Sequence, residues 1–486
     1  MSDIIYDAII VGAGYGGLGA AARLTQAGYR NFLVLERAGE IGGVWRDNDY
    51  PGAACDTQSP IYCFGWFPHL SVSRMYAGRD ELLGYLQSIV DEFELSDRID
   101  LDSAVHRATW DERNEVWIVE DSQGRRHRAR NFIPAVGQLG TPNIPQFPGQ
   151  EEFEGTLFHS ARWRHDIDLT DKRVASIGAA ASAVQYVPEV AQRASRLVVF
   201  QRSANYILPR NQHVFTDSEL ASHTGVPETF LELRNTIHTE REQRFALTRH
   251  DTAEQRAGVE DARRHLENQI SDPQLRRQLT PDYEFGCKRI LRSDDYYPAL
   301  ARANVEVETS GIERFTATGV ITRGGNEYEL DVVILGTGFS SQTFVGEIEI
   351  VGCGGTRLDA RWGDAPEAFL GMLVDGFPNL FLVYGPNTNL NHNSIVAMLE
   401  IQHDFIVAAV TRSASGGPPI EVAADQIDAF NDAMQIELSS SAYSSDCSSW
   451  YKNADGRVVN NWSGTVEEYR SAVADFTRVV EDRIDA

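Results

Sequence analysis

The chain is poor in the residues that would tie it to a metal, to nucleic acid or to a bilayer. Its five cysteines, Cys55, Cys63, Cys287, Cys353 and Cys447, are scattered over 486 residues. They form no CxxC pair and no Cys–His ligand spacing, so no metal site is expected. An odd, dispersed set is expected to stay as reduced thiols in a cytoplasmic protein. Positive charge is also scarce: 44 basic residues stand against 70 acidic ones, for a net charge of −26. That balance excludes nucleic acid or an anionic membrane as the main partner, and any basic residues that matter must sit in small clusters. No apolar run is long enough to span a bilayer. The start, "MSDIIYDAIIVGAG", carries acids and passes straight into a strand, so no signal peptide is expected.

What is present is glycine at strand ends. "DAIIVGAG" is an apolar strand that runs into "GYGGLGAAARLTQAG", a small-residue helix stopped at Gly28. Gly12, Gly14 and Gly17 fit GxGxxG at that junction. The next strand, "NFLVLE", ends in Glu36, 19 residues after Gly17. Glycines there permit a tight turn and close approach of a pyrophosphate to the helix N-terminus, and the acid suits adenosine ribose hydroxyls. A second copy, "KRVASIGAAASAVQYVPEVA", has Gly178, Ala180 and Ala183 at the matching places. Its following strand ends in Gln201-Arg202-Ser203 in place of an acid. An arginine with a hydroxyl neighbour suits a 2′-phosphate. The first site is therefore expected to take FAD and the second NADPH. The fold class expected is α/β, with two Rossmann-like domains and electron transfer between two bound cofactors.

The stretch "GGVWRDNDYPGAACD" follows shortly after Glu36. Two glycines, a tryptophan, a Tyr-Pro-Gly turn and one aspartate make neither an ordinary strand nor an ordinary polar loop. It resembles the longer fingerprint of the Baeyer–Villiger flavoprotein monooxygenases, through Gly42, Gly43, Trp45, Tyr50, Pro51, Gly52 and Asp56. The family's shorter fingerprint is matched in "FEGTLFHSARWR" by Phe153, Gly155, His159 and Trp163, with Arg164 where Pro or Asp is usual. "AVGQLGTPNIPQFPG" resembles the first crossover between domains and "DVVILGTGF" the return strand. "YGPNTNLNHNS", with Asn387, resembles a flavin-contacting loop, and "CSSWY", with Trp450, a C-terminal lid.

The resemblance implies an NADPH-dependent enzyme that inserts one oxygen atom of O2 next to a ketone carbonyl through a C4a-peroxyflavin. It implies that Gly43, Trp45 and Asp56 lie at the flavin, with Trp45 and Tyr50 walling the ring from water. In "EFGCKRILRSDDYYPAL", Lys288 is expected at the NADPH 2′-phosphate beside Arg202 and Ser203, and Arg289 at the flavin, oriented by Asp56. His159 and Trp163 fall in the segment joining the two folds, where a hinge is expected. The alternative is an N- or S-monooxygenase using the same intermediate as hydroperoxide. A flavin disulfide reductase needs a redox cysteine pair, which Cys55 and Cys63 do not provide.

The expected domains are 1–138 for FAD, 139–326 for NADPH and 327–486 for the return to the FAD domain with the lid. An insertion at about 211–283 reads as helical: only Gly258 interrupts Pro227 to Pro281, and Val259, Ala262, Leu266 and Ile270 recur at helical spacing. Its expected role is a cap over substrate access. The remaining partners expected are a small ketone and O2.

Overall fold

The computed structural model describes residues 4–482. Ile5–Val11 is apolar on both faces at its C-terminal half, as a central parallel strand must be. It lies between Phe32–Leu35 and Arg126–Pro134, both parallel to it. Ile99–Asp100 extends this sheet on one side. On the other, Val116–Asp121, Val105–Asp111 and Glu349–Val351 complete seven strands. The helix Tyr15–Gln26 presses Gly17, Leu18, Ala20, Ala21 and Leu24 into the core beneath the sheet. The long helix Ile395–Ala414 shares that core.

A second sheet is wholly parallel, in the order Val305–Glu308, Arg196–Phe200, Arg173–Ile177, Val332–Leu335 and Thr156–His159. The helix Ala181–Arg193 packs on it through Ala183, Val184, Tyr186, Val187 and Val190. A three-stranded antiparallel sheet, Ile312–Thr316, Gly319–Thr322 and Glu327–Glu329, covers the opposite face around Phe315 and Val320.

Two sequence expectations need correction here. Residues from 327 onward were expected to belong to the return to the FAD domain. Glu327–Glu329 instead pairs with Gly319–Thr322, and Val332–Leu335 is an interior strand of the second sheet. A strand so apolar on both sides is stable only between two neighbours, so the chain crosses back only after Gly336. Thr156–His159, in the segment joining the two folds, is the edge strand of the second sheet. The cysteine reading also fails at one pair: Cys287 and Cys447 are joined in a disulfide, 160 residues apart in sequence. Cys55, Cys63 and Cys353 are free. Spacing in sequence could not reveal the pairing, because it depends on the C-terminal segment folding back over the second sheet's loops.

The insertion is helical as expected, with Asp217–Gly225, Pro227–Gln243, Ala253–Gln269 and Pro273–Gln278. Ala262, Leu266 and Ile270 are buried and Val259 half-buried. Among the described residues no helix is long and apolar enough to cross a membrane, and no cluster of metal-ligating side chains occurs.

Candidate active site between two dinucleotide folds

Each parallel sheet delivers one glycine turn to the start of a helix. Gly12 has φ +105°, and a Cβ there would sit 2.6 Å from the Ala135 carbonyl oxygen. A Cβ on Gly17 would run into the Gly12 carbonyl, so helix and turn touch without side chains between them. The helix Tyr15–Gln26 begins at Gly14 with no side-chain cap and no acid in its first turn. The helix Ala181–Arg193 begins at Ala180 in the same way. Two helix N-termini with free N–H groups and no competing carboxylate suit two pyrophosphates. Gly43 backs onto the first turn, where its Cβ would lie 3.1 Å from the Gly14 Cα.

Glu36, 3% exposed, ends the second strand of the first sheet. Its carboxylate accepts the Ala13 N–H at 2.8 Å, the Ala38 N–H at 3.0 Å and Arg46 Nη1 at 2.9 Å. It is thereby fixed beside the glycine turn. At the matching strand end of the second sheet, Gln201 is buried and gives its Nε2 to the Gln278 carbonyl. Arg202 beyond it is exposed. Lys288 Nζ donates to Ser203 Oγ at 2.7 Å and lies 4.4 Å above the Tyr283 ring. Burial and then the Arg202 charge pull the lysine below its ordinary pKa. Two cations held together without an ion pair fit a dianionic 2′-phosphate.

Asp56 and Arg289, 233 residues apart, form a two-pronged ion pair, Nη2 to Oδ1 at 2.7 Å and Nε to Oδ2 at 3.1 Å. Burial pushes the Asp56 carboxyl up, but Arg289, by charge and hydrogen bond, with Arg292 and Arg210, holds it below the usual range. The Asp56 charge raises Arg289 further against its own burial. The pair lies deep in the protein, yet 34% of the arginine side chain and 21% of the aspartate remain open. Depth with exposure means that both face an internal cleft. Tyr384 and Tyr451 feel the same guanidinium. Tyr384 is held at φ +62°, uncommon for a residue with a side chain, and its hydroxyl donates to Asn389.

Other expected site residues are distributed unevenly. Trp45 meets Tyr62 edge-on at 5.8 Å, on the first-sheet side. Tyr50 does not join it. Its hydroxyl donates to Gln185 at 2.9 Å and its ring packs edge-on against Tyr186, both on the second sheet's helix. Tyr50 thus joins the Tyr-Pro-Gly turn to the helix of the second fold. Asn387 spends its Nδ2 on the carbonyls of Val458 and Asn461, which ties its loop to the C-terminal segment. Trp450 packs against Tyr451 with ring centres 4.6 Å apart and planes tilted by 55°, and its carbonyl accepts from Ser341. His159, 2% exposed, donates from Nε2 to the Gly338 carbonyl at 3.0 Å and accepts the Ala161 N–H at Nδ1. Trp163 packs on Phe158 and Tyr186, and Phe153 on Phe315. A Cβ on Gly155 would strike the Phe153 ring. Sequence reasoning missed Tyr384 and Tyr451, although both lie within stretches it had marked, and Arg292, which follows Leu291 in a two-residue strand.

Comparison with known proteins agrees with this geometry. Residues 9–215 match the family of pyridine nucleotide-disulphide oxidoreductases. A Baeyer–Villiger monooxygenase of Pseudomonas aeruginosa is 38% identical over 96% of this chain and 89% of its own length. One from Streptomyces coelicolor is 38% identical over 95% of this chain and 89% of its own. A solved structure of oxidised steroid monooxygenase bound to NADP superposes with a TM-score of 0.88 at 31% identity, over 98% of each chain.

Proposed function

The chain belongs to the Baeyer–Villiger monooxygenases, and from that membership we propose how its own residues divide the work. The enzyme is a flavoprotein that uses FAD and NADPH. A ketone, O2, NADPH and a proton become an ester or lactone, water and NADP+. Hydride acceptance and oxygen activation are the chemistry that FAD supplies when bound.

Gly12, Gly14, Gly17 and Gly43 form the surface for FAD, with Glu36 at the ribose and Trp45 and the Asn387 loop nearer the ring. Gly178, Ala180 and Ala183 receive the NADPH pyrophosphate, and Arg202, Ser203 and Lys288 its 2′-phosphate. Arg289 supplies a charge that cannot be lost to a base, aimed at the oxygen on which negative charge develops as the carbonyl is attacked. Asp56 orients that guanidinium. Trp450, beside Tyr451, closes the cleft against water. His159 and Trp163, with Phe153 and Gly155, carry relative movement of the two folds, His159 through its bond to the crossover at Gly338. The helical insertion caps substrate access, and the setting is the NADPH-rich cytoplasm.

The observation that carries this reading is the Asp56–Arg289 pair, deep in the protein but open to a cleft between two dinucleotide folds. The test is to reduce the yellow holoenzyme with NADPH, admit 18O2, and offer linear, cyclic and aryl ketones. The expected product is an ester carrying one heavy oxygen between the carbonyl and the migrated carbon. NADPH oxidation that yields only hydrogen peroxide with every ketone contradicts it.

A further inference from the structure

Behind the Asp56–Arg289 pair stand three more guanidiniums that have no carboxylate of their own. Arg210 donates from Nη2 to the Cys55 carbonyl at 3.0 Å, and its guanidinium lies 5.3 Å from the Tyr76 ring centre. Arg241, 9% exposed, gives Nε to the Gln58 side-chain oxygen at 2.7 Å. Arg292 gives Nη1 to the Pro209 carbonyl at 3.2 Å. Every one of these acceptors is neutral. Among the described residues none of the three arginines forms an ion pair within 4 Å, and the neighbouring Asp56 is already engaged by Arg289. Burial lowers both Arg241 and Arg292, and the Arg292 charge lowers Arg241 further.

Arginine cannot discharge itself by losing its proton, so a buried group of this kind is costly unless an anion completes it. Space for one exists. A cavity of about 230 Å3 is walled by Arg74, Arg210 and Arg292, with Tyr76 and Gln212, against two carboxylates, Glu189 and Asp295. Asp295 is partly satisfied by the Ser293 hydroxyl. NADPH does not account for the cluster. The cations assigned to its 2′-phosphate are Arg202 and Lys288. The cavity borders Val184, Gln185 and Glu189, further along the helix than the turn assigned to the pyrophosphate.

We propose that this cluster is a carboxylate subsite, and that the substrate is an oxo acid whose carboxylate is held by Arg292 and Arg210, the two that wall the cavity, while its ketone carbonyl meets Arg289. This deepens the oxygenase reading and rests on it. The guanidinium pair gives a carboxylate two-pronged recognition that a neutral ketone cannot exploit. Arg289 and Arg292 are three residues apart, so their Cα atoms are separated by at most about 10 Å. That reach suits an aliphatic spacer of a few carbons.

The test uses the holoenzyme with 4-oxopentanoate, 6-oxoheptanoate, 8-oxononanoate and 10-oxoundecanoate, each beside its methyl ester. At least one acid is expected to exceed its ester tenfold or more in kcat/KM, and Arg292→Leu to bring that ratio close to one. Arg292→Lys, which keeps the charge, retains most of the preference. Octanoate, which has no ketone, binds the native holoenzyme by calorimetry, and Arg292→Leu weakens that binding at least tenfold. FAD content and melting temperature of each variant report folding. Should Arg292→Leu fail to fold, the native acid-to-ester ratio and the lysine variant still decide. Esters turned over as well as acids by the native enzyme, or equal losses for both in a folded Arg292→Leu, overturn the proposal. Octanoate binding that depends on Arg292, with no oxygenated product from any ketone, sinks the oxygenase reading and leaves the anion subsite standing.

Discussion

The two dinucleotide turns share a backbone but differ in what they are built to hold. Gly12 and Gly178 adopt φ +105° and +112°, each pressed against a carbonyl of the neighbouring crossover strand. Gly14 and Ala180 start their helices with nearly the same dihedrals, φ −94° and −88°. The difference lies in side chains. The first turn keeps glycine at all three places and ends its next strand in a buried acid. The second carries methyl groups at Ala180 and Ala183 and ends in an exposed arginine. A Cβ on Gly14 would meet only Gly43 at an ordinary 3.5 Å, so the protein alone does not demand glycine there. A tightly seated ligand at that place would supply the demand. The first turn is therefore suited to a resident cofactor and the second to one that comes and goes.

The sharpest way to break this contrast is Gly17→Ala. The new methyl collides with the Gly12 carbonyl, whereas Ala183 is accommodated at the second turn with no exposure. The expected outcome is protein that no longer retains FAD through gel filtration, read by absorbance at 450 nm.

Next in size is removal of the cation pair at the second site. Lys288→Ala and Arg202→Ala each remove one charge-assisted contact of about 1.5–3 kcal/mol, which raises the KM for NADPH roughly ten- to a hundredfold. The KM for NADH should hardly change, since it lacks the 2′-phosphate. Parallel losses with both nucleotides would remove the assignment of this site.

The two helices also differ in their buttresses. The first leans on His403, fully buried, whose Nε2 donates to the Gly16 carbonyl at 2.8 Å. Burial pushes this imidazole down to about 3 from an ordinary 6.5. The second is tied to its sheet by its own Tyr186, whose hydroxyl shares a hydrogen bond with Ser176 of the strand Arg173–Ile177 and is raised by burial. Only the first buttress responds to mild acid. His403 stays neutral in the fold but takes a proton when unfolded, so its contribution is complete above pH 6.5. It falls by about 1.4 kcal/mol for each unit below that, until the folded group itself titrates near pH 3. The melting temperature should drop between pH 7 and pH 5 with release of FAD, and His403→Gln should flatten that dependence.

The smallest change sharpens the comparison. Ala180→Gly makes the second turn resemble the first and is expected to lower the dissociation constant for NADP+ by a few-fold, measured by titration of the oxidised enzyme.

Much of this contrast could be read from the chain because it is local. Glycine spacing, the strand before it, the helix after it and the residue at the next strand end all lie within about thirty positions. The Asp56–Arg289 pair was legible only through the family fingerprint, since no local rule links residues 233 apart. The dual use of "GGVWRDNDYPGAACD" was hidden for the same reason. Gly43 and Trp45 serve the first fold, while Tyr50 and Gly52 grip the helix of the second. The return point after Gly336 and the Cys287–Cys447 bond depend on which elements meet across the cleft, and a pattern along one strand carries no such information.

The proposed role of the Arg289 guanidinium, held by Asp56, is confined to the oxygen-transfer half of the cycle. Stopped-flow kinetics of Arg289→Ala, with its ketone product assayed in parallel, tests this most directly. The expected result is anaerobic reduction of bound FAD by NADPH within a few-fold of the native rate, with ester formation down by about a hundredfold or more. Ester formation at the native rate in that variant would contradict it.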